Sequence, residues 1–103
     1  MSLDITRTAP HPDEARRRLE HARTSRLAQL RALTEGVQSA DDHLLAEQKT
    51  AMERVVEEIE EAFARIDAGT YGTCLACARP IPAERLEILP YTRHCVTCRR
   101  RTA

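Results

Sequence analysis

Apolar positions along the chain form two long stripes of helical period, followed by a stretch with no such period. Ala15, Leu19, Ala22, Leu27, Leu30, Leu33 and Val37 share one face at about 100° per residue, which predicts a helix from Pro12 to about Glu35. Pro12 suits a first helical turn, where its missing N–H costs nothing, and Asp13 and Glu14 then sit where the helix dipole favours acids. Gly36 reads as the stop. The second stripe is cleaner: Leu45, Met52, Ile59 and Ile66 recur at heptad spacing, with Val55, Val56, Ala62 and Phe63 between them. Its start is marked by Ser39 before Ala40-Asp41-Asp42, a capping arrangement that also puts two acids in the first turn, and its end by Gly69.

Helices of roughly 24 and 28 residues would be about 36 and 42 Å long. A link of a few residues near 36–40 forces them antiparallel. With the turn near Gln38, residues whose numbers sum to about 76 are expected to face each other. Arg16, Arg17 and Arg18 then lie opposite Glu57, Glu58, Glu60 and Glu61, and Arg23 lies near Glu53. This assigns the arginine run to the hairpin rather than to an external partner. Exposed pairs of this kind each contribute only a few tenths of a kcal/mol, but like charges in the same places would oppose the pairing.

Composition supports a thin helical shape. Fifteen of the 103 residues are alanine, and Phe63, Tyr71 and Tyr91 are the only aromatics, too little bulk for a globular core of this length. The net charge of zero conceals segregation. Residues 1–33 carry seven Arg against four acids, residues 34–68 ten acids against three bases, and residues 69–103 six Arg against two acids. No segment has the strong basic excess of a nucleic-acid binder, so direct DNA binding is not expected. No apolar run approaches the roughly 18 residues of a membrane span.

The stretch without helical period holds all four cysteines, as Cys74-Leu75-Ala76-Cys77 and, after seventeen residues, Cys95-Val96-Thr97-Cys98. Two residues between cysteines let a tight turn aim both sulfurs at one point, and a second such turn supplies the other corners of a tetrahedron. Four thiolates close the coordination sphere, so the expected ion is structural zinc. Two disulfides or a redox CxxC are the competing readings. Disulfides need an oxidising compartment. Met1 to Arg7 lacks an apolar region that would export the chain, and no βαβ context surrounds either CxxC. A cytoplasmic protein is therefore expected. His94 stands beside Cys95 as a competing ligand, and His43 reads as a surface residue.

Between the knuckles, Pro80 and Pro82 stop any long helix or central strand, Ala83 to Leu86 reads as a helical turn, and Ile88 to Tyr91 as an extended piece. Arg79, Arg85 and Arg93 are expected to offset the negative zinc centre. Tyr71 is expected to pack at the joint between hairpin and ribbon. Arg99 to Ala103 is too short to form a helix alone. The fold class is thus mainly α: a lead-in over 1–11, a long antiparallel helical hairpin (coiled coil) over 12–68, and a small four-cysteine zinc ribbon with a basic tail over 69–103. No nucleophile–base pairing, glycine-rich phosphate loop or open metal site is visible, so an enzyme is not expected.

From Ile59 to Cys98 the sequence resembles the DksA/TraR family. The resemblance rests on Gly69, Tyr71, Gly72, Cys74, Cys77, Ile81, Arg85, Leu86, Pro90, Cys95 and Cys98 in the family's order and spacing. It implies a non-enzymatic transcription regulator that binds RNA polymerase, with the hairpin inserted in the secondary channel and the ribbon on the channel rim. It also brings in the alarmone ppGpp as a co-effector, by resemblance alone. Two departures stand out. Family members usually show Cys-Gly after the first knuckle, where this chain has Cys77-Ala78, and the Asp-x-x-Asp-x-Ala tip is absent. At the turn, Asp41 and Asp42 either replace that acidic tip or are first-turn acids of the second helix. Two other classes remain: a nucleic-acid-binding ribbon using Arg99 to Arg101, and an interaction module whose hairpin dimerises. A monomer is expected over a homodimer.

Overall fold

The computed structural model describes residues 10–36 and 42–102. Two long helices, α1 (Pro12–Gly36) and α2 (Asp42–Ala68), lie antiparallel, and two short ones follow, α3 (Ala83–Ile88) and α4 (Val96–Thr102). The molecule measures 60 × 30 × 21 Å, as a two-helix rod with a small foot should. Among the described residues there is no β-strand; Thr73 and Pro80 form an isolated antiparallel bridge. No described helix is long and apolar enough to cross a membrane.

The ends of the helices follow from local chemistry. At the start of α1, the Asp13 N–H donates to Nδ1 of His11 at 3.1 Å, so an imidazole takes the capping place before Pro12. At the end of α2, Gly69 adopts φ +79, the Thr70 N–H reaches back to the Arg65 carbonyl at 2.9 Å, and the Gly69 N–H to that of Ile66 at 3.1 Å. That pair of bonds is a Schellman stop, and its left-handed residue favours glycine. Ser39, Asp41 and the turn itself lie outside the described residues.

The hairpin is closed by Leu19, Ile59 and Ala62, all fully buried, with Ala22, Val55, Phe63 and Ile66 packed around them. Farther out the seam thins: among described residues from 20 to 58 none is buried. Leu27, expected in the seam, is 40% exposed. It lies roughly 110° round the helix from the line through Ala15, Leu19 and Ala22, and Arg26 occupies that line instead.

The charge ladder forms in a shifted register. Arg23 pairs with Glu60 at 2.9 Å rather than with Glu53, one heptad further along α2, and Arg16 pairs with Asp67 at 2.9 Å. The physical reason is side-chain tilt. Helical side chains lean toward their own N-terminus, so on antiparallel helices an Arg of α1 and a Glu of α2 lean toward each other along the axis. Partners therefore start farther apart than backbone level suggests. The Arg23 guanidinium also sits 4.8 Å from the centroid of the Phe63 ring, a cation–π contact. Arg18 bonds to Glu14 within α1 at 2.7 Å, and Arg17 joins no ion pair among the described residues, so the run is only partly used by the hairpin.

Candidate metal centre and its joint with the hairpin

After Gly69 the chain makes a tight loop. The Ile81 N–H donates to the Gly72 carbonyl and the Cys74 N–H to the Arg79 carbonyl, both at 2.8 Å, closing a narrow turn around the first knuckle. The Ala78 N–H donates back to the Cys74 carbonyl at 2.9 Å. This aims Cys74 and Cys77 the same way, but it forces Ala78 to φ +63. A residue with a Cβ is strained there by about 1–2 kcal/mol, which is why a glycine suits this position.

The second knuckle is the first turn of α4. The Arg99 N–H donates to the Cys95 carbonyl at 2.9 Å, so Cys95 and Cys98 stand at the head of a helix. The basic tail is therefore helical, but as the continuation of the knuckle rather than alone. The knuckle supplies the costly first turn, and Arg99 to Arg101 only extend it.

All four Sγ atoms lie within 4.8 Å of one another, and those of Cys77 and Cys95 are 3.9 Å apart. A tetrahedron of thiolates at the zinc–sulfur distance has edges of about 3.8 Å, so the four donors fit that ion. None is in a disulfide. Cys74 and Cys98 are buried with Ile81 and Leu86, while Cys77 is exposed. His94 is not in the cluster. Its carbonyl instead accepts the Arg85 Nε–H at 3.2 Å.

The electrostatics of the sulfurs argue for a cation. Burial pushes the Cys74 thiol up, but backbone N–H groups of Cys95, Cys77 and Ala76 outweigh it and hold the thiol down at about 6. The Cys95 thiol is held down chiefly by the Cys98 N–H. Cys98 is pushed up to about 12, first by burial and then by the three neighbouring cysteines. One sulfur ionises readily and the last resists, chiefly because burial disfavours a further unneutralised thiolate there and then because its thiol is hydrogen-bonded among its neighbours. A dication removes that conflict.

The foot is fastened to the hairpin through residues 90–93. Tyr71 packs against both the cysteine cluster and the Leu19–Ile59–Ala62 cluster, and its hydroxyl donates to the Pro90 carbonyl at 2.7 Å. Burial raises its phenol to about 12, against smaller opposing effects of Arg18 and Arg65. Arg65 donates to the Thr92 carbonyl at 3.4 Å. Arg93 reaches α2 at Glu58 (3.1 Å) and Glu61 (3.4 Å), while its carbonyl accepts the Leu75 N–H at 2.9 Å. Its side chain thus grips α2 rather than offsetting the sulfur cluster. Residues 88–91 are not extended: Leu89 to Thr92 close a turn, with the Thr92 N–H bonded to the Leu89 carbonyl at 3.0 Å. Pro90 at the second position of that turn supplies the required φ.

The composite defines a class: a four-thiol zinc-finger foot on the base of an antiparallel helical hairpin. Residues 69–102, the C-terminal third of the chain, match the family model of the prokaryotic dksA/traR C4-type zinc finger. Among curated proteins, an uncharacterised protein of Aquifex aeolicus is 44% identical over 43 residues, 42% of this chain and 30% of that protein. General stress protein 16O of Bacillus subtilis is 44% identical over 39 residues, 38% of this chain and 24% of that protein. The match spans less than a third of the length of either relative. A solved structure, transcription factor DksA2 of Pseudomonas aeruginosa, aligns over 88% of this chain and 78% of its own at 28% identity, with a TM-score of 0.46.

Proposed function

We propose that the protein is a non-enzymatic, cytoplasmic transcription regulator of the DksA/TraR type that binds RNA polymerase. The hairpin enters the secondary channel and the zinc finger docks at the channel rim. The observation that carries this reading is a DksA/TraR-type finger fastened to a helical rod by Tyr71, Arg65 and Arg93. Such a joint transmits docking of the foot into placement of the far end.

Cys74, Cys77, Cys95 and Cys98 hold zinc in this reading, and the ion supplies folding stability to a foot too small to fold by apolar burial alone. At the turn, Asp41 and Asp42 are the residues that would approach the polymerase active-site magnesium. Asp42→Asn should then weaken the effect on transcription with zinc content and helicity unchanged; unaltered regulation would leave both acids as helix caps. The reading as a whole is tested with purified polymerase. Saturable binding that disappears when the secondary channel is occluded supports it, and binding to DNA alone, steeply weakened by salt, sinks it. Repeating the transcription assay with and without ppGpp tests the co-effector that family resemblance suggests.

A further inference from the structure

Arg16 and Arg18 are each held by a carboxylate, but Arg17 between them is exposed and has no hydrogen-bond or ion-pair partner among the described residues. It borders a groove of about 360 Å³ where α1 meets the end of α3. Ala22, Ile88 and Pro90 give the groove its apolar lining. Arg17, Arg18 and His21 border it from α1 and Glu87 from α3, and with Arg18 held by Glu14 the cation left to a partner is Arg17. Ile88 is 78% exposed, the most exposed large apolar side chain among the described residues. It lies about 200° round α3 from the fully buried Leu86, so it faces away from the core that α3 serves.

We propose that this groove is a second docking surface on the regulator, fitted to an acidic segment of its protein partner that carries an apolar side chain. The proposal rests on the polymerase reading above and adds a contact to it. An unpaired arginine beside an exposed aliphatic anchor is the composition of a protein contact centre. Charge complementarity selects an acidic partner. A phosphate backbone would repeat its charge past Glu87 in the same groove and leave Ile88 uncovered, whereas a peptide can set one carboxylate against Arg17 and one apolar side chain over Ile88. A second copy offering its acidic α2 face (Glu53, Glu57, Glu60) is the rival occupant, and it would make the mass of the wild type depend on concentration.

The test is a titration of purified core RNA polymerase with zinc-loaded wild type, Arg17→Glu, Arg17→Lys and Ile88→Asp, with zinc content and helicity measured for each. Both Arg17→Glu and Ile88→Asp should weaken binding by about tenfold or more, and Arg17→Lys should retain most of it. Wild-type affinity in both of the disruptive variants, while wild type binds polymerase, overturns the groove and leaves the polymerase reading intact. No polymerase binding by wild type removes the functional reading itself and this proposal with it. A wild-type mass that climbs with concentration, and does not in Arg17→Glu, overturns the proposal in favour of a second copy.

Discussion

The two ends of the hairpin are built differently. At the base, Ala15, Leu19, Ile59 and Ala62 are fully buried, and Tyr71 and Tyr91 from the foot cover the same cluster. Toward the turn no described side chain between 20 and 58 is buried, and Leu27 and Leu44 are 40% and 53% exposed. Two helices alone can shield only one stripe of each other, so burial is complete only where a third element arrives. The rod is therefore firm where it is held and lightly packed where it extends.

The largest expected effect separates foot from rod. Cys95→Ser, or a strong chelator, should remove zinc and abolish the cooperative melting of residues 69–102 while far-UV circular dichroism keeps the signal of α1 and α2. An unchanged melt in chelator would break the comparison at its root. Next, Ile59→Ala at the base should cost about 3 kcal/mol in denaturant unfolding, and Leu44→Ala on the arm less than about 0.5 kcal/mol. Equal losses would mean that the seam is uniformly packed.

The joint should show a smaller effect, with a pH signature. Tyr71→Phe removes a half-buried hydroxyl and leaves the Pro90 carbonyl without its donor, at a cost of about 1 kcal/mol. In the folded protein the Tyr71 phenol is raised from 10 to about 12, because burial disfavours the phenolate. A raised pKa gives stability that is fully present below pH 10 and is lost as pH rises toward 12. Alkaline unfolding in that window, reduced in Tyr71→Phe and followed by phenolate absorbance, checks the sign.

Smallest and of opposite direction, Ala78→Gly should stabilise the foot by about 1 kcal/mol, because the left-handed backbone at φ +63 suits a residue without Cβ. Its measure is the midpoint of the zinc-loaded melt, and no gain would mean that the knuckle relaxes its strain elsewhere.

What was legible in the sequence was local. Heptad spacing at Met52, Ile59 and Ile66 and the paired CxxC turns are short-range patterns, and helices and a sulfur cluster stand where they point. What was missed depends on distance or direction. Arg93 finds Glu58 across 35 residues, and nothing near either residue announces it. The heptad shift of Arg23 comes from the lean of side chains, which spacing along one helix does not contain. The helix at Arg99 to Arg101 exists because a knuckle precedes it. Ala78 did carry a signal, since the family's usual glycine at that place marks a backbone that wants φ above zero.

The Schellman stop at Gly69 leaves almost no slack between rod and foot. A helix of about 40 Å swung by 5° about that point would carry its far end through roughly 3.5 Å, the span of one hydrogen bond. Gly69, Tyr71 and Arg93 therefore set the aim of the whole device, and a substitution there would be felt farthest from where it was made.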